Sequence, residues 1–166
     1  MANRDIKNFP NLEPARQYMW EIYAALLSTT FHFRAMSTSI PDQVVEVYEH
    51  QYKSTKVHFA GRDATAKTWD FTCIDGVDLF VYKTLFAWIE RTKTANKSNY
   101  VYDVTIALKD RADREIGKYK LLDAFPENLS PVTLDYSVND PINVACSFRY
   151  DDVHFTVGGQ EVASVA

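Results

Sequence analysis

A hydrophobic period of two constrains this chain more than any other feature. Between Tyr102 and Lys109, Tyr102, Val104, Ile106 and Leu108 fall on one side, and Asp103, Thr105, Ala107 and Lys109 on the other. An extended strand sends successive side chains to opposite faces, whereas a helix would scatter the same set around its circumference. The spacing recurs along the chain. Residues 18–24 carry their more apolar side chains at even positions. Residues 31–35 alternate again, in a segment that ends at Ile40-Pro41. Val45, Val47 and His50 outline a third run, and Val57 and Phe59 a fourth that stops at Gly61. Trp69, Phe71 and Cys73 share one face of residues 67–73.

Turn signals organise these runs into hairpins. The polar stretch 110–114 returns the strand at 102–109 into a partner at 115–122. Val132, Leu134, Tyr136 and Val138 lead up to Asn139-Asp140-Pro141, and Ile142, Val144, Cys146, Phe148 and Tyr150 lead back. The apolar positions then become odd, at Val153, Phe155 and Val157. That change of phase predicts one extra residue, a β-bulge, at Asp151-Asp152.

One segment follows a different rule. Leu79, Tyr82, Phe86 and Ile89 recur at helical spacing within 79–91. Asp75 is placed to cap this helix, with Asp78 near its positive end and Arg91 and Lys93 at its negative end. Leu85 and Trp88 widen the apolar face, so the helix is expected to be largely covered. The sum is a mainly β chain, an antiparallel β-sandwich or barrel with one packed α-helix. The expected organisation is a polar N-terminal arm at 1–15, a β domain at 16–157 and a C-terminal tail at 158–166, opened by Gly158-Gly159.

Composition then narrows the function. The chain has 166 residues, one domain's worth, with ten Tyr and ten Phe against five Gly. No run approaches the ~18 apolar residues of a membrane span, and the polar start shows no secretory signal. The formal net charge of −4 argues against affinity for nucleic acid or anionic lipid. The four histidines, His32, His50, His58 and His154, form no ligand pair. No serine sits in a strained GxSxG context, and no glycine-rich phosphate loop opens a helix. Asp110, Asp113 and Glu115 lack the spacing of a calcium loop and read as a solvated turn. The basic run 91–97 reads as a helix end rather than a nucleic-acid patch. Cys73 and Cys146 read as buried free thiols. Nothing points to catalysis, a metal or a cofactor, so the residues favour a structural or interaction protein.

Taken in order, several segments resemble the tail tube protein family of contractile-tailed bacteriophages. They are the strand at 18–24 leading into Phe31-His32-Phe33-Arg34-Ala35-Met36-Ser37-Thr38-Ser39-Ile40-Pro41, and the turn Val57-His58-Phe59-Ala60-Gly61-Arg62. Trp69-Asp70-Phe71-Thr72 with the helix bearing Phe86, Ala87 and Trp88 resembles the family's strand–helix unit. Ala124-Phe125-Pro126-Glu127-Asn128-Leu129-Ser130-Pro131, followed by Leu134-Asp135-Tyr136-Ser137, is similar to its aromatic-proline turn and closing hairpin. The likeness covers residues 16–155.

The resemblance implies a virion component, assembled in the host bacterial cytoplasm. Its subunits would form hexameric rings that stack into a hollow tube, with strands from six copies closing a barrel around the lumen. The implied partners are the sheath outside, the tape-measure protein and then DNA inside, and baseplate and tail terminator proteins at the ends. Tube and baseplate tube-initiator proteins of related contractile injection or secretion systems share the fold and are the alternative. In this setting residues 42–55 stand out. They alternate poorly and carry Val44, Val45, Val47, Tyr48 and Tyr52, apolar surface that is costly to leave in water. These five are the expected ring-stacking residues; the plainer reading is a hairpin within one subunit. A ligand-binding β-barrel, a third class, would wrap the aromatics round a pocket. A negatively charged lumen would let DNA slide without adhering, since Lys and Arg make the phosphate contacts that bind it.

Overall fold

The computed structural model describes residues 17–24, 34–135, 137 and 139–162. The expected arm at 1–15, the start of the second strand at 31–33, Tyr136, Val138 and the end of the tail lie outside the described residues. Within them the strands are β1 (Trp20–Ala24), β2 (Ala35–Thr38), β3 (Val45–Tyr52), β4 (Thr55–Asp63) and β5 (Thr68–Ile74). A helix, α1 (Phe80–Thr94), follows. The chain continues through β6 (Tyr102–Lys109), β7 (Glu115–Leu129), β8 (Asn143–Arg149), β9 (Asp152–Val157) and β10 (Gln160–Glu161).

Strand β7 is the seam of the molecule. Its first half pairs with β6 on one side and β9 on the other, and its second half pairs with β8. β1 extends the first sheet beyond β6, and β10 extends it beyond β9. β5 and then β2 extend the second sheet beyond β8. Every pairing is antiparallel, and the result is a sandwich rather than a closed barrel. Among the described residues β1 pairs only with β6, and β2 only with β5.

Register across the seam explains the change of phase near residue 151. Leu122 pairs with Asp152 and Phe125 with Arg149, so the ladder keeps step through the break between β8 and β9. Both strands nonetheless change face. Gly117 and Leu121 are buried before the break in β7, and Ala124 and Pro126 after it. Asp123, at φ 52, is the additional residue. It bulges against β6, where Val104 pairs with Leu121 but Tyr102 with Ala124. The expected one-sided bulge at Asp151-Asp152 is therefore two matched irregularities on neighbouring strands.

The same seam corrects two further expectations. The stretch from Ala124 is not a turn: β7 runs on to Leu129, with Pro126 beside a register shift that accommodates its missing N–H. The expected strand through Val132 and Leu134 does not form. Both edges of β8 are already taken, by β5 and by the second half of β7, so no ladder is left for it. Val132 and Ile142 still pack against the core, while Leu134 is exposed. At the other end, Gly158 and Gly159 both have positive φ and form the two-residue turn that joins β9 to β10.

The core is aromatic. Phe148 of β8 lies 5.6 Å from Trp69, 5.3 Å from Phe71 and 5.3 Å from Trp88, centroid to centroid. Trp88 meets Tyr102 edge-on at 5.4 Å, and its indole N–H donates to the Tyr100 carbonyl at 2.6 Å. Cys73 and Cys146 are buried in the same layer, both free. Burial pushes the Cys73 thiol up to about 12 and the Cys146 thiol upward as well, so both stay protonated and pack as small apolar groups.

Helix α1 presents a different stripe to this core from the expected one. Val81, Leu85 and Trp88 are buried, whereas Leu79, Tyr82 and Phe86 are exposed and Ile89 is only partly covered. Both stripes are apolar at helical spacing, and packing against β7 selects the one that carries Trp88. The N-terminus is capped at a distance. Leu79 occupies the cap position at φ 48 without a side-chain bond. The buried Asp75 carboxylate instead accepts from the N–H groups of Gly76 (2.9 Å), Val81 (3.1 Å) and Tyr82 (2.9 Å). Arg34 closes the arrangement, donating to Asp75 at 3.2 Å and to both oxygens of Asp78 at 2.9 and 3.0 Å. At the other end Arg91 donates to the Tyr102 hydroxyl and Lys97 pairs with Asp151, so the basic run serves the helix end. The turn at 110–114 is held by Asp110, which accepts from the N–H groups of Ala112 and Arg114.

Leu85→Ala is expected to destabilise the subunit by about 2–5 kcal/mol through the cavity it leaves. Phe86→Ala, one position along, should stay within about 0.5 kcal/mol; urea midpoints compare them. The Arg34 hydrogen bonds hold the Asp78 carboxyl below its ordinary value of 3.8. The contribution of the pair is thus complete above that value and lost as pH falls through the lower, folded one. The urea-midpoint gap between wild type and Asp78→Asn should be open at pH 6 and narrow progressively as pH falls below about 4.

Candidate assembly surfaces

Among the described residues β3 and β4 pair with each other and with no other strand. Every residue in both is exposed. A Lys53-Ser54 turn joins them, with Lys53 at φ 54. The register sorts their side chains by face. Tyr48 lies opposite Phe59, His50 opposite Val57, and Tyr52 opposite Thr55, all on one side of the ribbon. Tyr48 stacks on His50 at 6.5 Å, as two residues apart on one face can. Val47 opposite Ala60, Glu49 opposite His58, and Gln51 opposite Lys56 make the other side. There Glu49 holds Lys56 at 3.1 Å and lies 3.6 Å from His58. The ribbon is thus amphipathic, with an aromatic face and a charged one, and the described residues cover neither. Tyr48, Tyr52 and Phe59 are 61%, 63% and 53% exposed. Full burial of such a side chain contributes about 1.5–3 kcal/mol, so a partner that covers this face gains several times that.

The five residues singled out from sequence separate in space. Tyr48 and Tyr52 share the aromatic face. Val47 belongs to the charged face. Val44 and Val45 lie at the ribbon's base, beside a cavity that also touches Gly61 and Tyr150. All five are exposed. Val57, Phe59 and His50 complete the aromatic face and were missing from that set. The turn at Lys53-Ser54 was the signal that could have found them, since it fixes which residues of the return strand face Tyr48 and Tyr52. Gly61 marks a register shift at the base: a Cβ there would stand 3.0 Å from the Glu46 Cβ.

Two other surfaces are open. The edge strands β1 and β2 each have one side without a strand partner among the described residues, the condition that invites pairing with another chain. The outward stripe of α1 presents Tyr82 stacked on Phe86 at 6.2 Å. Among the described residues no cluster of three or more His, Cys, Asp or Glu is arranged to hold a metal, and no helix is long and apolar enough to cross a membrane.

A family model described as phage tail tube protein matches residues 8–156. No curated protein matches the sequence. The fold resembles the anti-feeding prophage tube terminating cap, with a TM-score of 0.74 at 14% identity, over 95% of this chain and 100% of that one. It resembles a chain of the sheath-tube complex of the PVC extracellular contractile injection system, with a TM-score of 0.68 at 18% identity, over 89% and 94%. A chain of the anti-feeding prophage baseplate gives a TM-score of 0.64 at 15% identity, over 87% and 97%.

Tyr48→Ser with Phe59→Ser should leave the subunit's melting temperature within ~2 °C of wild type, because neither side chain touches the core. The same pair should abolish any self-association that sedimentation detects in the wild-type chain.

Proposed function

The chain belongs to the phage tail tube protein family, and on that premise we propose that it is the structural subunit of a phage tail tube, built from stacked hexameric rings and conducting DNA during ejection. The observation that carries the reading is the amphipathic ribbon β3–β4, whose aromatic face is left uncovered by the described residues. A ribbon that projects from the body and exposes Tyr48, Tyr52, Val57 and Phe59 is suited to the next ring, where these side chains lose their water. β3 and β4 do form a hairpin within one subunit; what favours the stacking role is that among the described residues this hairpin pairs with no further strand and its residues are exposed.

The open sides of β1 and β2 support closure within a ring. Strand pairing between neighbouring copies along those sides would make one continuous wall. The sheath is the partner outside, the tape-measure protein and then DNA occupy the lumen, and baseplate and terminator proteins bind the ends. The subunit is a virion component assembled in the host cytoplasm, and its role is structural rather than enzymatic. Acidic residues facing the lumen would keep DNA from adhering. The second reading, a tube or tube-initiator protein of a contractile injection system, is supported by the likeness in fold to chains of such assemblies.

Electron microscopy of the purified chain tests the proposal. Rings or tubes are expected from the wild type, and tubes should be lost when residues 51–55 are deleted. A monodisperse monomer at high concentration would overturn the tube reading, and long tubes from the deletion would overturn the role of the ribbon. Assembled tubes should also show no measurable DNA binding at moderate salt in a filter-retention assay.

A further inference from the structure

A cavity of about 340 Å³ lies where the ribbon leaves the body, between Gln43, Val44 and Val45, Gly61 and Asp63, and Tyr150 with Asp152. At ~30 Å³ per water it has room for the end of an incoming side chain with several waters beside it. Three observations set its chemistry. The Tyr150 hydroxyl is buried and has no hydrogen-bond partner, the one such side-chain atom among the described residues. A buried hydroxyl left unpaired is unfavourable unless something completes it. Burial pushes the Tyr150 phenol upward, and the carboxylates of Asp42, Asp63 and Asp152 add to that push. Lys67 also lines the cavity, but its ammonium is engaged by the Asp151 carbonyl at 2.7 Å and lies 3.9 Å from Asp63. The site is therefore a negatively charged recess with an unmet hydroxyl, suited to an added cation that carries N–H donors.

The opposite end of the same ribbon carries such a group. Lys53 stands at the apex of the turn, exposed, with its ammonium over the Tyr52 ring at 5.7 Å. Lys56 is already held by Glu49, whereas Lys53 has no ion pair among the described residues. Strand β3 has eight residues, so tip and base are separated by about 25 Å. One subunit cannot bring them together; two can. We propose that the cavity receives the Lys53 ammonium of a second copy, so that the ribbon tip of one subunit plugs the ribbon base of the next.

The pairing joins two different surfaces head to tail, the type of contact that propagates into an open stack instead of closing a dimer. It rests on the tube reading and deepens it by naming the receptor of the ribbon. It also gives the turn residue a role: Gly or Asn adopts a positive φ more readily, yet neither carries an ammonium.

The test reads the critical concentration for tube assembly by sedimentation, with subunit melting as a control. Lys53→Met should raise that concentration ~10-fold and Lys53→Arg should keep it near wild type. Tyr150→Phe should raise it ~3-fold without lowering the subunit's melting temperature, since the hydroxyl bonds nothing within the subunit. The double variant should be no worse than Lys53→Met alone, because the two groups act on each other. Wild-type assembly by Lys53→Met, or independent multiplication of the two effects, would overturn the pairing and leave the tube reading standing. A wild-type chain that never assembles overturns the tube reading and the pairing with it.

Discussion

The subunit is organised around the contact of Phe148 with Trp69, Phe71 and Trp88. These rings come from three elements, β8, β5 and α1, which share no hydrogen-bond ladder as a set. Strand pairing ties β5 to β8, and the indole of Trp88 packs the helix onto their rings, with Val81 and Leu85 buried beside it. Its N–H bond to the Tyr100 carbonyl and its edge contact with Tyr102 extend the same grip to the start of β6. Asp75 and Arg34 then set where the helix begins, by holding its first N–H groups and tying the entry to β2. The sandwich is thus kept together by one aromatic layer and one polar clasp, at opposite ends of the helix.

What the sequence disclosed follows from which constraints are local. The alternation at Tyr102–Lys109 and at Trp69, Phe71 and Cys73 marks strands and their inner faces, because a strand with one buried side must alternate. The helix was equally visible, but its inner face was not. Leu79, Tyr82, Phe86 and Ile89 make as regular a stripe as Val81, Leu85 and Trp88, and only the surface they meet separates them. The stretch through Val132 and Leu134 alternates like a strand and is not one, since pairing capacity is a property of the finished sheet. Tyr48 and Tyr52 were legible as surplus apolar surface. Their face was not, since Val57 and Phe59 join it through a register that the turn at Lys53-Ser54 sets. Tyr150 looked like the last core residue of β8, and nothing in the chain's order marks its hydroxyl as unmet.

The surplus of Tyr and Phe divides between two roles. Phe71, Phe148 and Tyr150 are buried, while Tyr48, Tyr52, Phe59, Tyr82 and Phe86 are exposed. Those five lie on one face of the ribbon and one stripe of the helix, as expected of surface kept for other molecules; Tyr18 and Tyr23, also exposed, lie near the start of the chain and on the edge strand β1.

The matched irregularities at Asp123 and at Tyr150-Asp151 bear on how such a chain can change length over evolutionary time. Losing one residue at either place alone would shift the ladder of β7 against β8 and β9 by one step and turn a row of inward side chains outward. Losing one at both places would restore the step. The two positions lie far apart along the chain but adjoin across the seam, so a length change at one would need its match at the other to keep the register.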